Sequence, residues 1–345
     1  MNRFLYLGLA ASGLRMPIGT HLVLHTRPDP EAVLLDGARL GEVLVETAAR
    51  FRTPLAMPLM DLTLEKAALL LACGVPATEA DTHHFTAPPP APSGFVLTPR
   101  MQAACRAIAH VATRPGLVPM GMAIGPFSLM TKLVGDPITP VYLAGTGATA
   151  ADEPEIALIE SLLALGERII HRYLCAQIDA GAKAVVICEP AANTVFFSPR
   201  QLEAGYAVFD RYVTAPMRRI AHLLATRDVD LVLHDCGELT DEMIRRFASL
   251  RPAVLSLGSS RRLWEDAALL PRDVVLYGNL PTKRFCTRQL SADDVGRLAT
   301  DLAARMRATG RPFILGSECD VLSVPGCEGE IMAKVDAFMR CACGS

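Results

Sequence analysis

The sequence predicts an α/β protein of the (β/α)8 class, a TIM-type barrel in a single domain, and three observations carry that expectation. From Leu117 onward one grammar repeats: a short apolar run, a Gly, Pro or polar cluster, then an amphipathic helical stretch. The apolar runs are continuous rather than alternating, as parallel strands covered on both faces require. The chain has 345 residues, 51% of them hydrophobic and 20% charged, enough to bury a large core, and such barrels routinely use this much sequence as one domain.

The elements follow in order. Residues 1–50 read as an N-terminal extension or cap, in which residues 19–25 supply an extra strand or part of the cap, and residues 51–345 read as the barrel. Seven strands are predicted at residues 54–60, 117–124, 184–189, 230–236, 253–258, 273–279 and 312–319. Ile156, Ile159, Leu163, Ile170, Leu174 and Ile178 recur at helical spacing, and Gly181 closes that helix. Ser198-Pro199 opens another helix as cap and first residue, with Pro216 breaking or kinking it. Ser291 and Asp294 form a capping-box pair for a helix that ends near Gly310. Residues 87–92 and 135–153 read as long loops near the barrel mouth, capping it.

Composition excludes several functions. Lysine plus arginine (34) nearly balance aspartate plus glutamate (36), so no strong net field draws in nucleic acid or an anionic membrane, and a neutral or small substrate fits better. Arg3 precedes a short apolar run, Phe4 to Ala11, too short for a secretory signal, and no later run is long enough to span a membrane. Ten irregularly spaced cysteines read as reduced thiols, which places the protein in the cytoplasm. Dinucleotide, P-loop and nucleophile-elbow motifs are missing, which disfavours hydride transfer, phosphoryl transfer and serine hydrolysis.

Polar residues fall at the C-terminal ends of the predicted strands, where barrel enzymes build their sites: Glu189, His234, Cys236, Asn279 and Cys319. His234 and Cys236 are two apart, so strand pleating turns both to one face. One imidazole and two thiolates suit zinc, and three protein ligands leave a catalytic position open. The competing reading makes each Cys a small buried hydrophobe and His234 a hydrogen-bonded core residue; Cys319 at a further strand end favours the metal. Cys73, Cys105 and Cys175 read as packing residues on helices, Cys286 and Cys327 as residues in loops or at helix starts, and Cys341 and Cys343 as a C-x-C tail that binds metal or oxidises readily. Among candidate substrate-binding residues, His84 lies either on a surface loop or on a substrate-facing lid. Gly125-Pro126-Phe127 ends a strand and starts a helix, whose amides can face a polar or anionic group.

These residues resemble the uroporphyrinogen decarboxylase superfamily, and within it the methylcobamide:coenzyme M methyltransferase branch. The resemblance covers most of the chain and rests on Met60-Asp61-Leu62-Thr63-Leu64-Glu65, Gly125-Pro126-Phe127-Ser128-Leu129, Glu189-Pro190, His234-Asp235-Cys236-Gly237, Gly278-Asn279-Leu280 and Gly316-Ser317-Glu318-Cys319-Asp320. It implies a (β/α)8 barrel, zinc on His234, Cys236 and Cys319, and methyl transfer between a corrinoid and a thiol acceptor such as coenzyme M. Glu189 then stands as a displaceable fourth ligand or a nearby acceptor, and Asn279 orients substrate or holds the strand end. Arg3, Arg15 and Arg27 are scattered and do not form the arginine-rich motif of the decarboxylases. No D-x-H-x-x-G corrinoid element is present, so cobalamin arrives on a separate corrinoid-binding protein. A tetrapyrrole decarboxylase and a non-catalytic zinc-binding protein are the alternatives.

Overall fold

The computed structural model describes residues 2–341. Eight strands follow one another along the chain: β1 Arg15–Ile18, β2 Leu55–Ala56, β3 Val118–Ile124, β4 Ala184–Cys188, β5 Asp230–Asp235, β6 Val254–Leu257, β7 Val275–Leu280 and β8 Phe313–Asp320. They form one sheet in the order β1-β8-β7-β6-β5-β4-β3-β2, and every ladder in it is parallel. Met16, Leu55, Met120, Val186, Val232, Val254, Tyr277 and Ile314, one from each strand, pack into a single interior cluster. The sheet is therefore curled in the manner of a TIM-type barrel.

The seven predicted runs all contain strands. The eighth strand corrects the sequence reading: it is Arg15–Ile18, whereas the expected 19–25 segment forms the helix Thr20–Leu24. Pro17 explains why this strand was illegible. Proline donates no ladder hydrogen bond and tends to sit at bulges, and here it occupies the register shift between Met16 and Ile18. A barrel strand thus comes from within the first 50 residues, the stretch assigned to an extension.

Between β1 and β2 no ladder forms, and the seam is bridged by Thr20 Oγ1 donating to the Met57 carbonyl at 2.7 Å. On the other side of β2, pairing with β3 covers only Leu55 and Ala56. Beyond it, side chains take over the role of a neighbouring strand. Gln177 accepts from the Met122 amide at 2.7 Å and donates to its carbonyl at 2.9 Å, and Glu65 accepts from the Ile124 amide at 3.2 Å. Buried backbone groups left without partners would be costly.

Below the barrel, the helix Arg3–Ala11 covers the ends where the strands begin. Tyr6 is fully buried in the interior cluster, and Arg3 donates to the carbonyls of Pro252 and Asp273 just before β6 and β7. Outside, the helix Gly37–Arg50 packs on the helix Pro99–Ala112. Gly37 and Gly41 permit the close approach: a Cβ on Gly41 would meet the His110 Cβ at 2.7 Å.

Two expectations about punctuation change. Residues 135–153 are not all loop, because Asp136 accepts from the Ile138 and Thr139 amides and starts the helix Ile138–Gly145; Pro140 is tolerated in its first turn. Pro216 likewise sits in the first turn of the helix Ala215–Thr226, after a π-helical turn at Asp210–Thr214. The Ser291–Asp294 capping box forms as read, and Gly310 ends that helix with φ 64°. No helix among the described residues is long and apolar enough to cross a membrane.

Candidate metal centre

His234 and Cys236 stand at the C-terminal end of β5, and Cys319 near that of β8, with β6 and β7 between them. Curvature of the sheet brings the three together: one ligand atom from each lies within 4.8 Å of the others. His234 faces the barrel interior, directly above Val232 in the same strand, and its register partner in β6 is Ser256. Ser256 Oγ is 2.8 Å from His234 Nδ1. The other ring nitrogen, Nε2, is buried without a hydrogen-bond partner. With the proton on Nδ1 donated to Ser256, Nε2 would keep its lone pair for a metal, the usual division of labour in a metal-binding histidine.

The neighbouring Cys319 thiol, with His234 and Lys283, draws Cys236 below the ordinary thiol range against the cost of burial. The same pairing, with burial, pushes Cys319 above that range. Lys283, from the turn after β7, donates to the Cys236 carbonyl at 3.4 Å. Burial opposes its charge, but Cys236, Glu318 and Cys319 hold the ammonium above its usual range. One imidazole nitrogen and two sulfurs fit zinc in donor type and number.

Glu189 is not in this cluster. Its carboxylate is buried at the end of β4 and accepts from the Phe127 amide at 2.8 Å and from the Ser128 amide at 3.4 Å. The acceptor that faces the amides of the helix Pro126–Thr131 is therefore the protein's own carboxyl group. Gly125 leaves the room, since a Cβ there would lie 1.5 Å from Glu189 Oε2. Burial pushes Glu189 up to about 8 despite the two amide hydrogen bonds. Pro126 and Phe127 are themselves buried, and the Phe127 ring packs against Phe196 and Phe197.

The remaining sequence candidates serve other ends. Asn279 donates to the carbonyls of Gly258 at 2.8 Å and Arg261 at 2.9 Å, so its amide pins the loop after β6. His84 is exposed; its neighbour His83 packs on Phe85 and buries Nε2 without a partner. Cys341 is buried, and Cys343 lies outside the described residues.

Sequence reasoning missed Ser256 and Lys283, and it assigned no role to Met60 or Asp320, although both stand in motifs it singled out. A cavity of about 380 Å³ opens beside Cys319, lined by Met60, Leu62, Thr282, Lys283, Phe285 and Asp320 among others. Met60 Sδ lies 3.8 Å from Cys319 Sγ. Asp320 Oδ1 is buried without a partner, and burial raises its carboxyl to about 7. The space is mostly apolar with a few convergent polar groups, as small-molecule sites are.

The family model of uroporphyrinogen decarboxylase (URO-D) matches residues 73–337. No curated protein matches the chain. Among solved structures, a methyltransferase from Methanosarcina mazei is similar with a TM-score of 0.67 at 16% identity, over 97% of this chain and 97% of that one. At that identity the likeness establishes a shared fold.

Proposed function

The chain belongs to the uroporphyrinogen decarboxylase family, and within it we propose that it is a zinc-dependent methyltransferase that moves a methyl group between a corrinoid, carried on a separate protein, and a thiol acceptor such as coenzyme M. The observation that carries this reading is the meeting of His234, Cys236 and Cys319 beside an open cavity. The name of the similar methyltransferase supports it. A tetrapyrrole decarboxylase is disfavoured because, among the described residues, the cavity beside Cys319 is lined by one cation, Lys283, and by no arginine to hold several carboxylates.

His234, Cys236 and Cys319 would hold the metal, and zinc there would supply a Lewis acid that favours the thiolate of a bound acceptor. The rest belongs to the chain's own residues. Ser256 holds the His234 ring with Nε2 turned inward. Lys283 places a positive charge beside the thiolate pair and limits the cost of burying it. Met60, Leu62 and Phe285 give the cavity an apolar wall that excludes water around the acceptor. Glu318 accepts from the Ser259 and Lys283 amides and so ties together the loops after β6 and β7 that carry these groups.

The decisive experiment measures metal content of the purified protein and then demethylation of methylcobalamin against a panel of thiols, coenzyme M included. About one zinc per chain and thiol-dependent demethylation are expected. Zinc without turnover for any thiol, free or with a corrinoid protein, would favour a non-catalytic metal site.

A further inference from the structure

A second cavity, of about 740 Å³, lies at the opposite end of the barrel, between the helix Arg3–Ala11 and the end of the helix Ala292–Thr309. Phe313 lines it and opens β8, whereas Cys319 stands six residues further along the same strand. At roughly 3.3 Å per residue the two sites are about 20 Å apart.

Its charge is one-sided. Arg15, Arg272, Arg307 and Arg311 line it together, and among the described residues no carboxylate does. Arg15 and Arg311 spend hydrogen bonds on backbone carbonyls, those of Met339 and Cys341 and those of Leu270 and Pro271, and form no ion pair among the described residues. The Arg272 and Arg307 side chains have no hydrogen-bond or ion-pair partner among the described residues. Asp273, next to Arg272 in sequence, is already shared between Arg3 and Arg251. Burial and the Arg272 charge lower the Arg311 guanidinium, and Asp273 offsets this only in part. In a chain of net charge −2, four guanidiniums on one groove make a local positive field that attracts an anion. Leu7, Leu14 and Phe313 make the remaining wall apolar.

We propose that this groove is a binding site, separate from the metal centre, for a small amphiphilic anion: a phosphate or diphosphate head held by Arg272 and Arg307, with an apolar body along Leu7, Leu14 and Phe313. Guanidinium forks match phosphate oxygens in pairs, and the volume lies within the range of small-molecule sites. The proposal is independent of the reaction at the metal centre.

Calorimetric titration of the full chain with inorganic pyrophosphate and with geranyl diphosphate tests it. Both bind, and geranyl diphosphate binds at least about tenfold more tightly because it also buries apolar surface. Arg272→Ser with Arg307→Ser weakens both by about tenfold or more, as the loss of charge-assisted hydrogen bonds requires, while metal content stays unchanged. Arg245→Ser with Arg297→Ser, which removes the same charge from elsewhere on the surface, changes neither affinity. Absence of binding by either probe at millimolar concentration, or equal losses in the two double variants, overturns the site. Equal affinity for the two probes overturns the apolar body.

Discussion

Ser256 lies directly across the β5–β6 ladder from His234, with its hydroxyl 2.8 Å from His234 Nδ1. This pairing determines which imidazole nitrogen is free, and it makes Ser256 a positioning residue for the metal centre. Ser256→Ala should keep the fold and weaken zinc affinity by about 10- to 100-fold, the usual cost of removing such a partner. Competition against a chromogenic chelator reads the change directly. An unchanged affinity would mean that packing alone orients the ring.

The ligands themselves make a sharper test. His234→Ala should weaken zinc binding, and Cys236→Ser and Cys319→Ser should abolish it, because each removes one of three donors that meet within 4.8 Å. Metal content measured by mass spectrometry on the purified variants checks this. Stoichiometric zinc in all three would sink the assignment.

Glu189 predicts a pH dependence of stability. The folded chain holds this proton up to about 8, against an ordinary value of 4.5. Between those values the folded state binds a proton that the unfolded state has released, so this group's contribution is complete below the lower value and is lost as pH rises through the upper one. Glu189→Gln keeps an oxygen to accept from the Phe127 amide and removes the titration. Denaturant unfolding from pH 5 to 8 should then show a decline shallower than wild type by up to about 1.4 kcal/mol per pH unit. Glu65, also raised to about 8 by burial, keeps part of the slope in both proteins. Parallel curves would refute the assignment to Glu189.

Gly125 depends on the same contact. Gly125→Ala would put a methyl 1.5 Å from Glu189 Oε2, so either the carboxylate leaves the Phe127 amide or the strand end shifts. We expect a loss of about 2–4 kcal/mol, the range for overpacking combined with a broken buried hydrogen bond. Chemical denaturation of the variant measures it, and a loss under about 0.5 kcal/mol, typical of a neutral surface change, would show that the site relaxes freely.

Much of this architecture was legible along the chain. Seven strand positions could be read because a parallel strand buried on both faces must be apolar throughout, and the Ser291–Asp294 cap because its partners are three residues apart. Arg15–Ile18 escaped notice since Pro17 interrupts the pattern that marks a strand. Ser256 gave no local signal: one serine in an apolar run acquires its role only from the residue opposite it, 22 positions earlier.

What the sequence determined by itself was therefore whatever depends on short-range periodicity: the strand and helix grammar, the common face of His234 and Cys236, and the placement of polar residues at strand ends. Only the tertiary structure decided which of those residues meet. Cys319 joins His234 and Cys236 because the sheet curls, whereas Glu189, at an equally suggestive strand end, turns to the Phe127 amide instead. The physical reason is that a distance between residues far apart in the chain is set by the curvature and register of the whole sheet and by competition among partners for each buried polar atom, and neither is written in any local stretch of residues.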